Sequence, residues 1–117
     1  MAGYLTTHVL DTASGLPAAH LKIDLYRLDG DTRTHLKTVH TNDDGRTDAQ
    51  ILPAEEFAIG TYELLFYAGD YLAAQGHDIP EPRFLDVVPI RFGMASETHF
   101  HVPLLLSPYS FSTYRGS

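Results

Sequence analysis

The 117-residue sequence holds no cysteine. That absence removes disulfides, thiolate metal sites and a cysteine nucleophile together. Positive charge is scarce: 8 Lys and Arg stand against 15 Asp and Glu, for a formal net charge of −7. Those basic residues (Lys22, Arg27, Arg33, Lys37, Arg46, Arg83, Arg91 and Arg115) are scattered, so no basic stripe exists to neutralise phosphates. Nucleic acid is therefore not an expected partner. No apolar run approaches the ~18–20 residues of a membrane helix, so no membrane partner is expected either. The opening "MAGYLTTHVLDTASG" lacks the basic and apolar regions of a secretion signal, and the closing "RGS" is no lipidation or sorting address. A cytoplasmic protein is the expectation. Repeats, low-complexity tracts and linkers are missing too, which leaves one domain over 1–117 with enough chain for its own core.

What the sequence does have is alternation of apolar and polar residues, the mark of half-buried strands. "YLTTHVL" (4–10) reads as a first strand and "DTASGLPA" (11–18) as a turn-rich connection. "HLKIDLYRL" (20–28) and "TRTHLKTVH" (32–40) flank the hairpin signal "DGD", and "TNDDGR" (41–46) is another tight turn. "TYELLFYAG" (61–69), "FLDVVPIRF" (84–92), "THFHVPLLL" (98–106) and "SFSTYR" (110–115) complete seven or eight strands. "DYLAAQGH" (70–77) is the one plausible helix, capped by Asp70 and stopped at Gly76. The pattern predicts an all-β, two-sheet antiparallel sandwich. Pro89 and Pro103 fall in strand-like runs and belong at an edge or a bulge.

Few residues stand out chemically. In "HFH", strand geometry points His99 and His101 to one face, with Cα atoms about 6.5–7 Å apart. The spacing suits an exposed polar face, a zinc pair needing a third ligand, or a general base with a neighbour. His8 shares a face with Thr6, opposite Leu5, Thr7 and Val9; a lone strand histidine of this kind is most often surface or core. Arg46 follows "DDG", where an arginine is ordinarily solvated, yet its fork suits a planar, carbonyl-rich anion. His20, His35, His40 and His77 read as solvated. The G-x-S-x-G elbow of a serine hydrolase is absent.

The segments "LTTHVLDTASGLPA", "TNDDGR", "TYELLFYAGDYLAAQG" and "HFHVPLLLSPYSFSTYRGS" together resemble the 5-hydroxyisourate hydrolases, the enzymatic branch of the transthyretin-like family. The closing Tyr-Arg-Gly-Ser is that branch's hallmark. Ser110 and Phe111 depart from its common ending, where glycine and tyrosine stand. The resemblance implies a prealbumin-like sandwich, assembled as a homotetramer with active sites shared between subunits around a central channel. It implies hydrolysis of 5-hydroxyisourate to 2-oxo-4-hydroxy-4-carboxy-5-ureidoimidazoline, in urate catabolism, without a cofactor. His8, Arg46, His101 and Ser117 take the catalytic positions, and His8, Arg46, Tyr114 and His99 the substrate-binding ones. His101 is favoured as the base and His8 as its partner. Two other readings stay open: a transthyretin-like carrier of an apolar aromatic ligand, and a zinc-dependent cyclic amide hydrolase using His8, His99 and His101.

Overall fold

Two four-stranded sheets face each other across one apolar layer in the computed structural model, which describes residues 2–116. In chain order the strands are β1 (Tyr4–Thr6), β2 (Val9–Asp11), β3 (Leu16–Pro17), β4 (Lys22–Asp29) and β5 (Thr32–His40). Then follow β6 (Gly60–Tyr67), helix α1 (Ala68–Ala74), β7 (Val87–Met94), β8 (His99–His101), β9 (Leu104–Ser107) and β10 (Ser110–Thr113). One sheet runs β10-β9-β2-β3, the other β5-β4-β6-β7, and β1 pairs with β8 in a two-stranded ribbon. The runs predicted at 4–10 and 98–106 are each interrupted once, at Thr7–His8 and at Val102–Pro103. Each interrupted run serves both the ribbon and the first sheet, and these two pairings, β1–β8 and β2–β9, are parallel.

The burial follows the alternation. Ile23 and Leu25 of β4 oppose Phe66 and Leu64 of β6, and Val9 of β2 opposes Leu104 of β9. All six side chains are at most 1% exposed, each worth roughly 1.5–3 kcal/mol relative to exposure. Pro89 lies on β7, which has a partner on one side only, and Pro103 lies in the break between β8 and β9. Pro89 thus has its expected edge place, whereas Pro103 ends one strand and precedes the next instead of forming a bulge. The helix differs: it begins at Ala68 rather than Asp70, with Tyr67 at its N-cap, and Asp70 sits in the first turn. Burial of Ala68 and Gly69 pulls those residues into the helix, and Tyr71 anchors it by donating to the carboxylate of Asp11 at 2.8 Å. Among the described residues no helix is long and apolar enough to cross a membrane.

Candidate active site

The ribbon sets the site. In its register Tyr4 pairs with His99, Leu5 with Phe100 and Thr6 with His101. Leu5, Thr7 and Phe100 are buried on the core side, so Tyr4, Thr6, His99 and His101 share the opposite face. The buried Thr7 hydroxyl donates to the Val102 carbonyl at 2.7 Å, tying the break in the first run to the break in the second. Leu52 bridges Leu5 from the ribbon's other side, which brings residues 47–50 up as a wall. Between wall and histidines lies a cleft of about 520 Å³, lined by Thr6, Arg46, Thr47, Gln50, His99 and His101 among others. That volume is in the range of small-molecule sites, roughly 300–1,000 Å³.

Arg46 reaches the cleft because the turn before it can take only one shape. Asn42 accepts the backbone N–H groups of Asp44 and Arg46 on its side-chain oxygen, and Gly45 N–H donates to the Asn42 carbonyl. Gly45 has φ of +75°, and a Cβ there would stand 2.3 Å from the Val9 carbonyl oxygen. Only glycine fits. The same turn presents the Asp44 carbonyl to His8, whose Nε2 donates to it at 2.9 Å. Neutral His8 therefore carries its proton on Nε2 and leaves Nδ1 free to accept.

His99 and His101 are joined through one side chain. Thr6 Oγ1 lies 2.7 Å from His99 Nε2 and 2.8 Å from His101 Nδ1. The His99 ring also stacks on Tyr4, with centroids 4.2 Å apart and planes 9° from parallel. Alternation alone puts Thr6 beside His8, but its bond to both histidines escapes the sequence pattern, because its partners lie 93 and 95 residues away. The Thr47–Gln50 wall escapes it as well; nothing in that stretch marks it as a pocket lining.

Both His8 and His101 are held below the ordinary histidine value of 6.5. Burial is the largest cause at each, since a charged imidazole loses hydration there. For His8 the Arg46 cation adds to it and the Asp44 carbonyl opposes it. For His101 the neighbouring His99, Arg46 and His8 all add to it. A lowered value keeps each ring neutral, and so able to accept a proton, at neutral pH. The C2–H resonances of both should titrate with midpoints below 6.5. In Arg46→Gln both midpoints should rise. A midpoint unchanged by that substitution would show that the guanidinium does not face the histidines.

The tail falls partly elsewhere. Gly116 N–H donates to the His101 carbonyl at 2.7 Å, so the chain end returns to β8. Arg115 lies 4.2 Å over the Phe100 ring and donates to Thr98. Tyr114 is 60% exposed and lines a separate groove with Ile90, Phe92 and Phe100, outside the histidine cleft. Ser117 lies outside the described residues. At the two departures from the common ending, the Ser110 hydroxyl pairs with Ser107 at 2.7 Å across the β9–β10 turn, and Phe111 is 42% exposed.

Among the described residues no three His, Asp or Glu side chains converge as metal ligands. The nitrogens that His99 and His101 turn toward each other are occupied by Thr6, and His8 Nε2 by a carbonyl. The arrangement offers neutral bases, a permanent cation and a polar wall.

Residues 5–116 match the sequence model of the HIUase/Transthyretin family. The 5-hydroxyisourate hydrolase of Mesorhizobium japonicum is 70% identical over 115 residues, covering 98% of this chain and 93% of that one. The solved structure of Klebsiella pneumoniae 5-hydroxyisourate hydrolase superposes with a TM-score of 0.81 at 34% identity, covering 98% and 99%. A solved (S)-allantoin synthase superposes with a TM-score of 0.91 at 45% identity over 98% of this chain, which spans only 44% of that longer protein.

Proposed function

Since the chain belongs to the HIUase/Transthyretin family, we propose that it is a 5-hydroxyisourate hydrolase that opens a cyclic amide without a metal. The observation that carries this reading is the pair of histidines bridged by Thr6 beside Arg46 in a polar cleft. His101 takes the proton of the attacking water, a contribution of about 10²–10⁴-fold for a well-placed base. His8, kept neutral and oriented by Asp44, positions that water or passes the proton on. The Arg46 guanidinium grips the carbonyl-rich edge of the flat substrate and offsets the charge growing on the carbonyl oxygen. His99 contributes to binding from beside Tyr4.

Tyr114 and Ser117 complete the site in this proposal from the C-terminal tail. Because Tyr114 faces a different groove from the histidines, it would reach substrate in a neighbouring subunit's site. That suits a homotetramer holding composite sites. Support for such association comes from β7 and β10, each partnered on one side, and from the exposed Leu16, Phe111 and Tyr114. A carrier for an apolar aromatic ligand fits the cleft poorly, since each buried polar group left unpaired would cost about 1–3 kcal/mol.

Urate treated with urate oxidase generates hydroxyisourate, whose ultraviolet decay can be followed directly. Decay should accelerate in proportion to added protein; decay at the spontaneous rate would remove the reading. Exhaustive treatment with a strong chelator should leave the rate intact. Loss of activity on chelation, restored only by zinc, would instead favour a zinc hydrolase.

A further inference from the structure

We propose that Thr6 is a positioning residue that locks the tautomer of His101: it bridges His99 and His101 so that His101 keeps its proton on Nδ1 and turns a bare Nε2 to the cleft. The kinetic consequence rests on the hydrolase reading, whereas the tautomer itself does not.

A hydroxyl has one proton to give and lone pairs to receive. Thr6 Oγ1 meets a ring nitrogen at 2.7 Å and another at 2.8 Å, so it cannot donate to both. With the Thr6 proton turned away from two neutral rings, the oxygen accepts from both, and His101 Nε2 is bare. While that proton stays between the rings, one imidazole donates N–H to the oxygen and the other accepts its O–H, which couples the tautomers in two arrangements. In the first, His101 Nδ1–H donates to Thr6, Thr6 O–H donates to His99 Nε2, and His101 Nε2 is bare. In the second the directions reverse and His101 Nε2 carries the proton, useless as a base toward the cleft. Arg46 decides between them. It is the permanent cation that lines the cleft with both histidines, and on a ring nitrogen turned toward a guanidinium a lone pair is favoured over an N–H dipole. The stack on Tyr4 keeps the His99 ring in place as the acceptor at the end of the chain. Thr6 is itself placed by the ribbon register opposite His101, so the lock is built by strand pairing rather than by a loop.

The first measurement is nitrogen-15 NMR of the imidazoles in the full chain. His101 should show a protonated Nδ1 and an unprotonated Nε2, and in Thr6→Val the two positions should average. An averaged His101 in the parent protein, or an unchanged His101 in Thr6→Val, overturns the proposal. The second measurement is kinetic. Thr6→Val should lower kcat about 10–100-fold, as loss of an orienting partner does elsewhere, while KM stays within about twofold. Thr6→Ser, which retains the hydroxyl, should recover most of the rate. His99→Phe keeps a ring against Tyr4 but removes the acceptor, and it provides the test should Thr6→Val fold poorly. It should lower kcat alongside Thr6→Val, and the double variant should fall no further than either single one. Additive losses, or a full rate in either variant, would sink the lock. If the parent protein does not hydrolyse the substrate at all, the functional reading fails, and the NMR result still decides the tautomer.

Discussion

His101→Ala, Arg46→Ala and His8→Ala are each expected to lower kcat by about 10²–10⁴-fold, the span associated with a positioned base or a transition-state donor. The effect at position 101 should fall on kcat with the rate loss persisting at saturating substrate, because a base acts in the transition state alone. At position 46 KM should rise as well, since a guanidinium that grips a carbonyl edge also holds the ground state. Stability should change little. His8 and His101 are half-buried and Arg46 is exposed, so truncation leaves no apolar cavity of the kind that costs several kcal/mol. His99→Ala should lose less than His101→Ala, because His99 reaches the reaction through Thr6. The measurements are steady-state kinetics beside thermal melting and size-exclusion chromatography of each variant. Equal losses at positions 99 and 101, or full activity in the His101 variant, would overturn the assignment.

Much of this site is legible in the amino-acid pattern. Alternation in "YLTTHVL" puts Thr6 and His8 on one face and Leu5, Thr7 and Val9 on the other, and burial follows that division. It is legible because one face of a strand must be apolar when it covers a core. Illegible from local pattern is the partner. The ribbon joins Tyr4–Thr6 to His99–His101 in parallel, across more than 90 residues of chain. Only the packing of the whole sandwich sets such a pairing, so the Thr6 bridge cannot be read from spacing. The same holds for the strand breaks. A proline announces the one at Pro103, whereas the one at Thr7–His8 carries no breaker and follows from the transfer of the run between partners. The helix start differs from its expected place for a related reason. Asp70 is a good capping residue by type, but Ala68 and Gly69 are buried, and tertiary contact outweighs the capping preference.

Deleting Tyr114–Ser117 is expected to lower kcat about 10²-fold or more while the sandwich melts near its original temperature. The reason begins with β10, which pairs antiparallel with β9 and carries the chain out of the sheet at Thr113. Beyond it, three contacts tie the end down: Thr113 Oγ1 donates to the Pro103 carbonyl at 2.7 Å, Arg115 lies over Phe100, and Gly116 N–H donates to the His101 carbonyl. The last of these brings backbone against the proposed base. A Cβ on Gly116 would stand 2.6 Å from His101 Cδ2 and 3.1 Å from its Cβ and Cγ. Glycine is required there for space beside an imidazole, not for an unusual φ. Gly116→Val keeps every hydrogen-bonding group of the tail and adds only bulk, so it separates packing from chemistry. It should push the His101 ring or the tail aside and cost on the order of 10²-fold, the penalty of displacing a reacting group by about 1 Å. Arg115→Ala, by contrast, removes a stack on Phe100 and one long hydrogen bond to Thr98 on the side away from the cleft, and its loss should be the smallest of the three. Kinetics on the three variants, matched for melting temperature and oligomer size, give the comparison. Full activity in the truncated protein would make the tail ordinary surface, and full activity in Gly116→Val would show that the packing of the tail against His101 does not matter to the reaction.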